Sequence, residues 1–91
     1  MEFEWNPDKA AVNLSKHGIS FQEAATVFKD SLSVTFPDSD HSIRENRYVM
    51  IGISSLGKLL VVSHTDREDR IRIISARTAT RPEKRFYEEG S

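Results

Sequence analysis

Cysteine is absent from this chain of 91 residues, and glycine is scarce. Without cysteine there is no disulfide framework, no thiolate metal ligand and no cysteine nucleophile, which is compatible with a reducing cytosol. The four glycines are isolated along the chain, so no glycine-rich phosphate loop is present. A GxSxG motif is missing as well. These absences disfavour the familiar hydrolase, kinase and dinucleotide-binding chemistries.

Long apolar stretches are also missing. No segment approaches the roughly 18 apolar residues that a membrane-spanning helix needs, and the acidic start of the chain disfavours a secretory signal. We therefore expect a cytoplasmic protein with no membrane partner. The length suits a single domain, residues 1–91, and 37% of the residues are hydrophobic, which indicates a globular chain.

A cluster of metal ligands and a strong excess of charge are lacking too. His17, His41 and His64 are widely spaced, so we expect neither a metal site nor a cofactor. The net charge is −1, but residues 1–40 hold three basic and seven acidic side chains, whereas residues 41–91 hold ten basic and seven acidic ones. A basic sector on a nearly neutral chain indicates a localised anion site rather than a general coat for nucleic acid.

The first third of the chain predicts a strand followed by two helices. Residues 2–5 alternate, which turns Phe3 and Trp5 inward on a short strand. An Asn-Pro start opens a helix that runs to about His17 and ends at Gly18. A capping box, Ser20 to Glu23, opens the second helix. Its predicted buried stripe consists of Phe21, Ala24, Ala25 and Phe28.

From residue 33 the hydrophobic period changes to two, which predicts strands over 33–36, 47–54, 58–65 and 70–77. The third of these is apolar on both faces, as a central strand is. A polar loop, 37–40, ends the first of them, and the short links predict antiparallel pairing. Thr80 and Glu83 form a capping box for a last helix. The predicted fold class is α+β: a strand, two helices, a four-strand antiparallel meander and a C-terminal helix.

Six arginines lie between Arg67 and Arg85, on a strand that leads into the last helix. Arginine presents a planar fork of donors that matches phosphate, so the run indicates a surface for RNA, DNA or an acidic protein. A solvated basic face with local ion pairs is the alternative. Alternation predicts one face opposite Arg70 and Arg72 that carries Ile71, Ile73, Ser75 and Arg77.

One chemistry needs neither metal nor cofactor, namely cleavage of RNA by its own 2′-hydroxyl. The protein must then align the hydroxyl, move protons and stabilise charge on phosphorus. The candidates for charge stabilisation are Arg67, Arg77 and Arg81, those for proton transfer are His17, His64 and Glu83, and Lys16 or Tyr87 suits either task. Tyr48, Phe86 and Tyr87 are candidates for stacking on a base. Structural alternatives exist, because Lys16 and His17 also suit the end of a helix dipole and Glu83 also suits a helix cap.

Three segments of the chain carry a more specific signal in combination. They are Phe3-Glu-Trp-Asn-Pro, the helix junction 13–21 with its Lys-His-Gly, and residues 73–87 with Ile-Ile-Ser-Ala-Arg. In this order and spacing, over nearly the whole chain, they resemble the BrnT family of bacterial toxins. Pro82 departs from the family pattern, which usually has arginine or another polar residue there.

The resemblance implies a type II toxin with a RelE-like fold, a metal-independent endoribonuclease that inhibits translation. It also implies a BrnA-type antitoxin that wraps the toxin and represses the operon, so that operator DNA is bound only through the antitoxin, in a heterotetramer. The predicted catalytic residues are Lys16, His17, Arg77, Arg81 and His64, and the predicted substrate-binding residues are Arg67, Arg72, Arg85 and Tyr87. The alternative is a non-catalytic protein-binding module, a degenerate toxin that acts only with its antitoxin in operon repression.

Overall fold

The computed structural model describes residues 1–39 and 46–90, which form helices packed on a five-stranded sheet. The strands are β1 Glu2–Glu4, β2 Val34–Pro37, β3 Arg47–Ile53, β4 Leu59–Arg67 and β5 Arg70–Thr78, and the helices are α1 Pro7–His17, α2 Phe21–Thr26 and α3 Arg81–Glu88. One 3-10 turn, Val27–Lys29, follows α2. The predicted α+β class is confirmed. His41 and the end of the predicted loop 37–40 lie outside the described residues.

The strand order in the sheet is β1-β5-β4-β3-β2. Strands β2 to β5 pair antiparallel with their chain neighbours, whereas β1 pairs parallel with β5. The sheet is therefore mixed. Periodicity within three residues identifies a strand but not its partner, and β1 finds that partner near the other end of the chain.

The main core lies between the sheet and the first two helices. Phe21 and Ala24 of α2 are fully buried against Leu60 and Val62 of β4, which is the central strand. Both faces of β4 are covered, as its continuous apolar run predicts, because Val61 on the opposite face is also buried. Phe3 and Trp5 of the first segment pack against the same core.

The predicted alternation of β5 is wrong at one point. Ser63 pairs with Ser75, but the next residue, His64, pairs with Ile73, so Ile74 is an extra residue in the strand. This β-bulge puts Ile73 and Ala76 into one core cluster, although a regular strand would place them on opposite faces. Arg77 follows Ala76 and lies on the other face of the sheet, away from Ile73.

The helix starts and stops follow local chemistry. The Asn6 side chain accepts hydrogen bonds from two N–H groups at the start of α1, and Gly18 ends the helix with φ 72°. The predicted Ser20 cap is present, since its hydroxyl accepts from the Glu23 N–H. The Glu23 side chain, which would form the second hydrogen bond of the capping box, is used elsewhere. Its carboxylate is buried and accepts from the Ser54 hydroxyl at 2.8 Å.

The second face of the sheet is covered in part by α3. Phe86 of α3 meets Phe36 of β2 edge to face, with ring centroids 5.8 Å apart, above a buried Ile51. No residue of α3 is fully buried, so the helix rests on the sheet rather than in a core. Among the described residues, no helix is long and apolar enough to cross a membrane.

Candidate functional site

A shallow groove of about 330 Å³ lies between α1 and β5. The last turn of α1 lines it with Lys16 and His17, and β5 lines it with Ser75. Basic side chains in the last turn of a helix interact favourably with the helix dipole, which gives a local reason for Lys16 and His17 at this position. The structure thus brings two predicted catalytic residues to the strand that carries Arg77.

The lining of this groove combines charged and apolar side chains. Lys9 and Lys16 outnumber Asp8, so the groove carries a positive charge before any contribution from His17. The apolar part of the lining consists of Val12 and Ile74, and 63% of the surface of Val12 is exposed. An anion with an apolar portion, such as a nucleotide, matches both properties.

Asn13 determines how α1 sits beside the strand. Its amide nitrogen donates to the carbonyl oxygens of Ala76 and Ile19 at 2.8 and 2.9 Å, and its amide oxygen accepts from the Ala76 N–H at 3.1 Å. Strand β1 pairs with only the first residues of β5, so this side chain takes the place of a neighbouring strand at Ala76. Lys16 and His17 follow one turn later and are held at the groove by this anchor.

Arg77 shares a sheet face with Ser75, but its guanidinium already has a partner. Both of its terminal nitrogens donate to the two carboxylate oxygens of Glu83 at 2.8 Å. The Thr80 N–H and hydroxyl donate to the same carboxylate, which completes the predicted capping box of α3. The hydrogen bond from Arg77 holds the pKa of Glu83 down at about 2, and the pair raises the pKa of Arg77.

Arg81 and Arg85 lie on α3 with their side chains exposed. Within residues 1–39 and 46–90, neither forms an ion pair. Arg81 begins α3 directly after the segment that leaves β5, so it stands close in the chain to Arg77. These two arginines have their donors available for an external anion.

Tyr87, predicted to bind substrate, is engaged inside the protein. Its hydroxyl donates to Oδ2 of Asp30 at 2.7 Å, an oxygen that also accepts from the Ile53 N–H. The hydrogen bond to Asp30 raises the pKa of Tyr87 to about 12. Burial raises the pKa of Asp30, but the hydrogen bonds from the Ile53 N–H and the Tyr87 hydroxyl lower it, and the net shift is downward. The contact ties the last turn of α3 to the segment before β2.

The structure separates His64 from the other predicted catalytic residues. Its ring packs against Phe28 and stacks on Tyr48, with centroid distances of 4.8 and 5.8 Å, on the core side of the sheet. Only 5% of its surface is exposed, and Nδ1 has no hydrogen-bond partner among the described residues. Burial lowers the pKa of His64. Arg77 and Ser75 lie on the opposite face, because they pair with Val61 and Ser63, which alternate with His64 along β4.

Arg67 and Arg72 lie at the far end of the same two strands. Together with Arg70 they surround one carboxylate, that of Glu4, at 3.7, 3.8 and 2.9 Å for Arg67, Arg70 and Arg72. The groove beside this cluster is lined by two arginines and by four acidic side chains, namely Glu4, Asp66, Glu68 and Asp69. Substrate contacts by Arg67 and Arg72 stay a prediction, and the surroundings here repel an anion.

Sequence reasoning missed several residues of the groove. Lys9 and Ser75 line it, and Asn13 anchors it, yet none belonged to the predicted site. Asparagine is uncommon inside a helix because its amide competes for backbone groups, so Asn13 was the available signal. In the described parts of the chain, no group of three or more His, Asp or Glu side chains is arranged to hold a metal ion.

The fold matches that of a solved bacterial protein. The 1.1 Å crystal structure of the Brucella abortus ribonuclease toxin, BrnT, superposes with a TM-score of 0.68 at 21% sequence identity, covering 89% of this chain and 99% of that one. No curated protein sequence matches the chain. At this identity the likeness establishes a shared fold.

The sequence adds the family. The small α+β fold is shared with that solved toxin, and residues 5–83 match the family described as "Ribonuclease toxin, BrnT, of type II toxin-antitoxin system". This chain belongs to the BrnT family. The resemblance carried by the three sequence segments is thereby confirmed.

Proposed function

We propose that the protein is a metal-independent endoribonuclease toxin whose active site is the groove between α1 and β5. The observation that carries this proposal is the juxtaposition of Lys16, His17 and Ser75 in a groove of positive charge. Arg81 follows at the adjacent strand–helix junction, and its donors have no acidic partner in the described part of the chain. An anionic substrate and proton transfer are both served by this combination.

In the proposed reaction, the 2′-oxygen of one nucleotide attacks the phosphorus that joins it to the next. The 2′-hydroxyl loses its proton, the P–O5′ bond breaks, and the leaving 5′-oxygen gains a proton. The products are a 2′,3′-cyclic phosphate and a 5′-hydroxyl, so atoms and electrons balance without a co-reactant. His17 and Lys16 serve the proton transfers and Arg81 the charge on phosphorus.

Three predicted participants take other roles in this proposal. Glu83 binds Arg77 and has a pKa of about 2, so it is a poor base at neutral pH. Arg77 fixes the strand–helix junction through that contact rather than gripping phosphate with its terminal nitrogens. His64 serves the core, because its ring lies on the other side of the sheet.

We further propose that a BrnA-type antitoxin neutralises the toxin in the cytoplasm and that the free toxin arrests translation. Membership in a toxin–antitoxin family supports a cognate partner. A RelE-like architecture and a two-plus-two complex that reaches operator DNA through the antitoxin belong to the same proposal. In this proposal the antitoxin keeps RNA out of the groove, either by covering it or by blocking the approach to it.

Cleavage of purified RNA in the presence of EDTA tests the proposal. The wild-type protein should cut single-stranded RNA in EDTA and leave 2′,3′-cyclic phosphate ends, and its induction without antitoxin should arrest growth. The Lys16→Ala/His17→Ala variant should do neither. Lys29→Ala is the matched control, since Lys29 is an exposed cation at the end of the 3-10 turn.

Cleavage that stops in EDTA and returns with a divalent ion would contradict the metal-free mechanism. Growth arrest by a stable Lys16→Ala/His17→Ala variant would contradict the site. A wild-type protein that cleaves no RNA, yet forms a repressing complex with its antitoxin, would identify the non-catalytic alternative.

A further inference from the structure

The outer face of α3 is a row of exposed cations. Arg81, Lys84 and Arg85 stand at i, i+3 and i+4, which places them together on one side of the helix. All three are exposed, and none forms an ion pair with the part of the chain that the structure describes. Glu88, one turn further on, and the C-cap residue Glu89 bring negative charge to the far end of this side.

The inner side of α3 is held at both ends, by the sheet in its first turn and by the segment before β2 in its last. Glu83 binds Arg77 in the first turn, and Tyr87 binds Asp30 in the last. Between them, Phe86 packs edge to face against a phenylalanine of β2. Because no residue of α3 is buried, these contacts fix the helix and hence the direction in which its cations point.

The composition of the outer face favours a phosphate backbone over a protein. Protein interfaces have an apolar centre and a polar rim, but the side chains at 81, 84, 85 and 88 are all charged. Single-stranded nucleic acids are bound by cationic surfaces that follow the backbone. The arginine fork and the lysine ammonium both suit phosphate oxygens.

The face also continues from the proposed site. Ser75 lines the groove, Arg77 lies on the same sheet face two residues further along β5, and Arg77 holds Glu83 of α3. An RNA strand that leaves the groove over the end of β5 therefore meets Arg81 first.

We propose that the outer face of α3, formed by Arg81, Lys84 and Arg85, binds the phosphate backbone of the RNA next to the cleaved bond. This inference rests on the proposed function, and it assigns Lys84 to substrate binding. It also gives Arg77 and Glu83 a positioning role, since they orient the cationic face without touching the substrate.

Binding of a non-cleavable RNA as a function of salt tests the proposal. The probe is a fluorescein-labelled single-stranded RNA with 2′-O-methyl groups, which removes the attacking hydroxyl, titrated at several KCl concentrations. Each phosphate contact contributes about 0.7 to the slope of log Kd against log [KCl] for single strands. Lys84→Ala/Arg85→Ala should therefore lower the slope by about 1.4 and weaken binding at low salt at least tenfold.

The matched control is Lys29→Ala/Lys58→Ala, which removes the same charge from two exposed sites outside α3 and should leave the slope unchanged. Equal losses in both variants, or no loss in the α3 variant, would overturn the proposal. Retained RNA binding with lost binding of polyglutamate would assign the face to an acidic protein and overturn it too. A wild type that binds the probe but cleaves no unmodified RNA would refute the proposed function alone.

Discussion

The two ends of strand β5 carry arginines in opposite electrostatic settings. At its start, Arg70 and Arg72 share the carboxylate of Glu4 with Arg67, beside a groove in which acidic side chains outnumber basic ones. At its end, a single carboxylate, that of Glu83, is matched by one arginine, and the cations that follow have no partner in the described residues. The difference shows that the local supply of carboxylates, and not the number of arginines, decides which end presents cations without an acidic partner among the described residues.

Loss of the His17 imidazole from the groove should have the largest effect, and that effect is on the rate of RNA cleavage. His17→Ala should lower the rate of RNA cleavage by about 10²- to 10⁴-fold, because general acid–base catalysis contributes that much. The rate constant for cleavage of a short RNA under single-turnover conditions measures it. A variant that keeps its circular dichroism spectrum and its rate would remove His17 from the site.

The anchor of the groove gives the next largest effect. Asn13→Ala leaves the Ala76 N–H and carbonyl and the Ile19 carbonyl without their partner, all at a buried position. We expect a loss of about 2–3 kcal/mol in the free energy of unfolding, measured with urea. Asn6→Ala, which removes an exposed helix cap, should cost about 1 kcal/mol. Equal losses in the two variants would show that the edge of β5 is not held as described.

Glu83→Gln tests the ion pair at the junction between β5 and α3. It removes the negative charge of the side chain but keeps a residue that suits a capping box. It should lower the free energy of unfolding at pH 7 by about 1 kcal/mol, since the pair with Arg77 is only partly shielded from solvent. The folded pKa of about 2 lies below the ordinary value of 4.5. The contribution is therefore present above pH 4.5 and is lost as the pH falls toward 2. Urea titrations from pH 7 to pH 2 should show the variant approaching wild type at the acid end, and a constant gap would contradict this.

The smallest effect is expected at the other end of the strand. Glu4→Gln removes the carboxylate that three arginines share, all of them partly exposed. Surface ion pairs contribute about 0–1 kcal/mol each, and the arginines lose mutual screening. We expect a loss of about 1 kcal/mol or less in the free energy of unfolding and a cleavage rate within twofold of wild type. A large gain in RNA affinity would show that the freed arginines form a second site.

Much of the architecture was predictable because its signals are local. The Asn6 and Thr80 caps, the stop at Gly18 and the two-sided apolar run of β4 each depend on residues close together in the chain. Lys16 and His17 could be selected as candidates from their place at a helix end and from the resemblance to the family.

The remaining features depend on contacts between distant residues. The bulge at Ile74 reverses the face on which Arg77 lies, and no pattern within β5 marks the extra residue. The parallel partner of β1 and the use of Tyr87 by Asp30 are likewise decided across the chain. His64 looked like a strand-end base, but packing against Phe28 places it in the core.

We propose that the end of β5 together with α3, and not the start of β5, binds and cleaves the RNA. The most direct measurement compares single-turnover cleavage of one RNA by Arg81→Ala and by Arg70→Ala, two substitutions of exposed arginines with the same change in charge. We expect Arg81→Ala to lower the cleavage rate at least tenfold, whereas the rate of Arg70→Ala should stay within twofold of wild type. Equal rates for the two variants, or a larger loss with Arg70→Ala, would contradict it.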